Sequence, residues 1–450
     1  MSMSSNSRRR SRRGPSSENK PNTIPPAPVL SAAYLECSSS KNDLVRRLRK
    51  VVEALSDEDL EVNSPEHPGL DGLTAALVDP KFLRHKDKEV RLHTVLACME
   101  TFYLYAPEAP WDVDEILLVF EQIIKQLSNL SHCTVPRMPN YRNYFRLLEQ
   151  LATVKVAVVL VELYHQGNSA ALETLAELVK TLLEAMHRDH QSEIMGHAVV
   201  AITASIEEYE PSVAFSNVPV PLLDEILAVL ANGPTTQEIV ASTTSKKVQT
   251  VQVPSPAYAL ASHVLRRCED RLSSPIARLL NALLNGGGNK LASLTRLHSD
   301  QVWLIVYELH RVCPGVLTEV IGNVAGLLVC EDTEQRLRVC RLLGRLFYSQ
   351  SSDIASRFNL CFRQWLNRSS DCDTSIRTLM AKCLVQILKN KPNLASDIEG
   401  SLLKLLSDSD VAIRSVVVHN LCDLVSMKPE SVSPALLLGV SERVQSKNKK

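Results

Sequence analysis

The pentapeptide Asp373-Thr-Ser-Ile-Arg377 returns in kind 37 positions later as Asp410-Val-Ala-Ile-Arg414: an acid, two residues, an aliphatic side chain and an arginine. The same joint is found as Asp87-Lys-Glu-Val-Arg91 and as Glu334-Gln-Arg-Leu-Arg338, and the last three arginines are 39 and 37 residues apart. Each joint opens a stretch of helical period. After Ile376, the residues Leu379, Met380, Cys383, Leu384, Ile387 and Leu388 share a face, and after Ile413 the same is true of Val416, Val417, Leu421, Leu424 and Val425. An acid in the first turn suits the helix dipole and stands one turn from an arginine, a pairing worth only about 0.3–0.5 kcal/mol when exposed. The joint therefore marks register more than it adds stability. Helix pairs recurring at this period cannot bury an apolar face alone, so they must stack on one another.

A period near 40 residues with two helices per unit resembles HEAT repeats. The expected fold is all-α, an α-solenoid of HEAT-like helical repeats, with about ten units between residues 41 and 445. The composition agrees. The chain has 450 residues, is 45% hydrophobic with 50 Lys+Arg against 50 Asp+Glu, and has only 15 Gly, so a large helical core is available. The polar, Thr/Ser-rich stretch 233–256 reads as a mobile loop inserted between helices, and Gly286-Gly-Gly-Asn289 as a short hinge. Residues 1–40 are Ser, Asn, Pro and Arg with little to bury, and are expected to be a disordered basic tail. Its cluster Arg8, Arg9, Arg10, Arg12 and Arg13 is of the kind read by nuclear import adaptors or drawn weakly to DNA phosphates, and is equally well explained as a solvated tail. Residues 446–450 form a basic C-terminal end.

Reactive constellations are missing from the sequence. The 11 Cys contain no C-x-x-C pair, and Cys98, Cys340 and Cys383 occupy apolar helical positions, which points to reduced, buried thiols. No apolar run approaches the ~18 residues of a membrane span; Val156–Val161 has six. There is no P-loop, G-x-G-x-x-G, G-x-S-x-G or H-E-x-x-H. His187-Arg-Asp-His190 spells part of a kinase catalytic loop, but the position five after Asp189 is Ile194, where an Asn is required. His187, His190, Glu193 and His197 fall on one face if the helix runs through them, and a solvated histidine-rich face outweighs a metal site. The expectation is a non-enzymatic protein with no cofactor and no metal.

One segment interrupts the helices with unusual force. In Tyr105-Ala-Pro-Glu-Ala-Pro-Trp111 each proline biases the residue before it away from helix, so Ala106-Pro107-Glu108-Ala109-Pro110 is expected to be a stiff, extended elbow with open carbonyls, able to dock a short peptide at little entropic cost. Alternatively the prolines only set the angle between two repeats while Tyr103, Tyr105 and Trp111 pack the joint.

This elbow, within Phe82–Trp111, together with the stretches Asn42–Arg49, Tyr144–Lys155, Pro221–Leu230, Ala257–Leu272 and Glu334–Phe347, resembles the cohesin-associated HEAT-repeat proteins named for precocious dissociation of sister chromatids. The resemblance covers nearly all of 42–430 and implies a nuclear, chromatin-associated scaffold that binds the kleisin subunit of cohesin. It further implies that Ala106, Pro107, Glu108, Ala109 and Pro110 receive short segments of the wings-apart-like release factor, cohesin acetyltransferase or protector proteins. The family's usual Asp is Glu108 here, which keeps the charge and moves it one methylene outward. Members of the family are much longer than this chain. A generic HEAT adaptor, such as a nuclear transport receptor or phosphatase scaffold, is the second reading.

Overall fold

The computed structural model describes residues 28–57, 60, 70–209, 218–241, 248–285, 290–350 and 352–447; Arg8, Arg9, Arg10, Arg12 and Arg13 lie outside them. The described chain is built almost wholly of helices in two layers. The first layer runs in sequence order through Lys41–Leu55, Lys88–Tyr105, Tyr141–Thr153, Ser192–Glu207, Pro256–Arg267, Ser299–Val312, Thr333–Tyr348, Thr374–Asn390 and Val411–Met427, each packed against the next. The second layer holds the intervening helices, among them Val113–Leu127, Ser169–Ala185, Val220–Ala231, Glu269–Leu284 and Ala395–Leu406. One apolar core is continuous between them, from Leu35 to Leu436. It is the stacked architecture that the repeat spacing demands.

The joints open first-layer helices, and their geometry is more specific than a dipole pairing. Asp87, Asp373 and Asp410 are N-caps whose carboxylates accept backbone N–H groups of the first turn. The arginine one turn on does not pair with that acid. It folds back over the helix start: Arg91 donates through Nη1 to the carbonyls of His85 and Lys86, at 2.6 and 3.1 Å, and Arg377 to those of Asp371 and Cys372, at 2.8 and 3.0 Å. Arg414 does the same with Asp408 and Ser409. Each arginine thus ties down carbonyls of the loop that precedes its own helix.

The fourth joint corrects the sequence register. Glu334 does pair with Arg338, at 2.7 Å, but the N-cap is Asp332, and the arginine that clasps the preceding carbonyls, of Cys330 and Glu331 at 2.7 Å each, is Arg336. The structural repeat is therefore Asp332 to Arg336, two residues earlier than the pattern of acid, aliphatic and arginine indicated. Gln335 stands where the other joints carry Val90, Ile376 or Ile413, so the apolar cue was absent there.

Successive joints are also linked to each other. Arg336 lies 3.5 Å from Asp371, and Arg377 donates to Asp408 at 2.8 Å, so the clasp of one unit grips the acid that stands two residues before the N-cap of the next. Burial pushes the Asp408 carboxyl up, but Arg377, the Asp410 N–H and Arg414 outweigh it and hold its pKa below the ordinary carboxylate value. The same balance, of burial against the Asp373 N–H, the Cys372 thiol and Arg336, lowers Asp371.

Two further expectations are revised. The stretch read as a loop between helices carries an antiparallel hairpin, Thr235–Ala241 paired with Val248–Pro254 from Thr235 opposite Pro254 to Ala241 opposite Val248. A high share of β-branched residues, Thr235, Ile239, Val248, Thr250, Val251 and Val253 among them, outweighed the polar composition that suggested a loop. The base is closed by the Ser255 N–H on the Pro234 carbonyl at 3.0 Å. At the other end, order begins before residue 41. Ser31 caps a short helix, Ala32–Glu36, Leu35 is fully buried, and Arg47 holds the Tyr34 carbonyl at 2.7 Å. Leu35 in the core, with Val29, Leu30 and Tyr34 packed against it, anchors what composition alone assigned to the tail.

Candidate functional site

The 88–105 helix ends at the elbow, and the turn is tighter than an extended strand. The Ala106–Pro107 bond is cis, Ala106 has φ −52° and ψ 135°, and the Glu108 N–H donates to the Tyr105 carbonyl at 3.0 Å. This is a turn of type VI, with the cis proline at its third position. The turn thus engages the carbonyl of Tyr105, the last helical residue before the elbow. Ala106, Pro107 and Glu108 are exposed, Ala109 and Pro110 half-buried. Neighbouring helices leave the turn open to solvent.

What fixes the turn lies immediately after it. Trp111 is buried, donates through Nε1 to the Thr74 carbonyl at 3.0 Å, and meets the Phe102 ring edge-on with centroids 5.0 Å apart. Asp112 then caps the next helix in a reciprocal box with Glu115: its carboxylate accepts the Glu115 N–H at 2.8 Å, and its own N–H donates to the Glu115 carboxylate at 3.1 Å. The five-residue elbow is thus held between a finished helix and an anchored tryptophan. Among the described residues the Glu108 carboxylate has no hydrogen bond and no ion pair, so its charge faces solvent.

The alternative reading of the elbow has Tyr103, Tyr105 and Trp111 pack the joint. Only Trp111 is fully buried; Tyr105 is half-buried, and Tyr103 is 62% exposed. Residues Leu92 to Phe102 are all buried, so no amphipathic period marks where that helix leaves the core, and the signal for Tyr103 was missing. Tyr103, on the last turn of the helix, and Glu108, on the turn that follows it, are thus both exposed.

The histidine group does not share a helix face, because the helix begins only at Ser192 and His187 and His190 lie in the preceding loop. His190 is a loop brace: Nδ1 accepts the His187 N–H at 3.1 Å and Nε2 meets the Leu130 carbonyl at 3.0 Å. Burial lowers its pKa, which keeps the ring neutral in that role. His197 packs edge-on against Phe145. Among the described residues no three His, Cys, Asp or Glu side chains gather as metal ligands.

Stacked helix pairs whose solvent-facing features are a rigid turn and shallow clefts define a helical-repeat scaffold. More particularly, the chain belongs to the sister chromatid cohesion protein PDS5 family, whose model matches residues 42–450. Homolog B-A of Xenopus laevis and homolog B of Homo sapiens are each 28% identical to it over 409 residues, 91% of this chain and 26% of theirs. The chain spans about a quarter of the length of these curated relatives. A chain of the solved Pds5–Scc1 complex aligns with a TM-score of 0.64 at 20% identity, over 88% of this chain and 56% of that one, and so has the same fold.

Proposed function

We propose that the chain is a non-enzymatic scaffold of sister chromatid cohesion, acting in the nucleus on chromatin by binding the cohesin kleisin and the regulators of cohesin. Membership in the PDS5 family supports this reading, as does the array of stacked pairs, which offers a long surface to extended partners. The elbow receives short segments of regulators such as the wings-apart-like release factor or the cohesin acetyltransferase and protector proteins. The observation that carries this is Glu108: an exposed carboxylate with no partner of its own, on a turn that a buried tryptophan and a capped helix hold rigid. A basic side chain of the partner answers its charge, and Pro107, with Tyr103 on the last turn of the preceding helix, offers exposed apolar surface.

Affinity purification of the chain from nuclear extract, read by mass spectrometry, tests the function. Cohesin subunits are expected among the strongest hits. Recovery of Ran or a phosphatase catalytic subunit, with cohesin absent, would overturn it. Arginine-rich residues 8–13 are a separate matter, tested by whether nuclear uptake and salt-sensitive DNA affinity survive their deletion.

A further inference from the structure

Far from the elbow along the first layer, two adjoining clefts of about 330 and 410 Å³ cross the helices Ser299–Val312, Thr333–Tyr348 and Thr374–Asn390, and share Arg341 and Arg345 as their common wall. Trp303 and Tyr307, both half-buried, line the first; Tyr348 and Lys382 line the second. Arg341, Arg345 and Lys382 are exposed, and none makes an ion pair among the described residues. The Arg345 guanidinium lies 5.8 Å over the Tyr307 ring, which orients it without cancelling its charge. The one acid in the lining, Asp300, is engaged by Arg338. All three cations lie near Cys383: burial pushes that thiol up to about 11, against the pull of Arg345, Arg341 and Lys382.

Three neighbouring like charges without an acid repel one another, and a bound anion relieves that repulsion. The form of the clefts narrows the choice of anion. Each compartment has side-chain dimensions, and aromatic walls alternate with the cations, so the site suits a chain that presents carboxylates and apolar groups by turns. A duplex would need a wide unobstructed cationic surface, whereas Asp300 and Glu334 flank one end here. We propose that this cleft docks an extended acidic segment of a partner protein, its carboxylates on Arg341, Arg345 and Lys382 and an apolar side chain between Trp303 and Tyr307. The inference is independent of the reading of the elbow. It follows the general match of forked guanidinium to carboxylate and of aromatic walls to an apolar anchor.

The test is fluorescence anisotropy with the whole chain and a labelled peptide of about a dozen residues, rich in Asp and Glu around a central Leu. Saturable binding that weakens with salt is expected. Exchanging the peptide's Leu for Ser weakens it, and the Arg341→Glu, Lys382→Glu double variant loses about tenfold or more in affinity. The neutral pair Arg341→Gln, Lys382→Gln loses less and, breaking no ion pair, keeps the melting temperature; it carries the test if the reversed pair fails to fold. Absence of saturable binding, equal binding by wild type and variants, or tighter binding of duplex DNA or inorganic triphosphate lost in the same variants would each overturn the proposal.

Discussion

Arg377 donates through Nε and Nη2 to both carboxylate oxygens of Asp408, at 2.8 and 3.2 Å, while its Nη1 holds the carbonyls of Asp371 and Cys372. One guanidinium therefore closes its own loop and grips the next unit. Both side chains are largely buried, 13% and 8% exposed, so an orphaned partner would keep its charge with little water to satisfy it. Arg377→Ala is expected to cost about 2 kcal/mol in urea unfolding, more than an exposed pair is worth. Arg377→Lys should recover only part of it, since an ammonium cannot serve four acceptors in this fork geometry.

The same clasp sets the response to acid. Asp371 and Asp408 have pKa values below the ordinary carboxylate value in the folded chain. Their contribution is complete above the unfolded value of about 4 and is lost as pH falls through the folded values. Helical circular dichroism should hold steady from neutral pH down to about 5 and decline below about 4. Asp408→Asn is expected to flatten the acid limb of that curve while lowering stability at neutral pH.

At the elbow, contact and packing separate cleanly. Glu108→Lys should weaken binding of regulator segments and leave the melting temperature nearly unchanged, because the carboxylate holds nothing in the free chain. Trp111→Ala should lower both, at about 3 kcal/mol of stability, since it removes a buried ring and the hydrogen bond to Thr74. Equal loss of stability in the two variants would make the role of Glu108 structural.

Tyr103→Ala, judged by isothermal titration with the same segments, should weaken binding without a change in thermal unfolding. A ring that is 62% exposed contributes little to the core, so a large drop in melting temperature would contradict the placement.

Gly344 is a packing constraint. A Cβ there would stand 2.7 Å from the Cys383 Sγ and 3.3 Å from the Trp365 ring. Gly344→Ala is expected to cost about 1–3 kcal/mol in denaturant unfolding. Combining it with Cys383→Ala, which vacates the space, should cost less than the two changes added separately.

The architecture was legible because stacking demands an apolar period, which the late helices opened by Asp373 and Asp410 keep clearly, even though the wholly buried run Leu92–Phe102 and the hairpin interrupt it elsewhere. Finer matters turned on forces that leave no periodic trace. The aspartate caps could be read, but Arg336 was passed over for Arg338 because Gln335 broke the apolar cue and a good local pair, Glu334 with Arg338, imitated the joint. The hairpin was hidden by polar side chains on β-branched backbones. At the elbow, two prolines announced a break without stating whether the bond before Pro107 was cis, and the exposure of Tyr103 depends on where neighbouring helices end, which only the assembled layers decide.

The arginine clasp is unevenly distributed. It secures Arg91 and then Arg336, Arg377 and Arg414, whereas the first-layer helices capped by Asn140, Gln191, Ser255 and His298 carry Tyr144, Met195, Ala259 and Val302 at the corresponding position. Under load the molecule is accordingly a beam of graded stiffness: its late units, clasped one to the next, resist shear as a block, while its middle, joined by scattered bonds such as the Tyr258 hydroxyl on Glu308 at 2.6 Å and not by a repeated clasp, yields first.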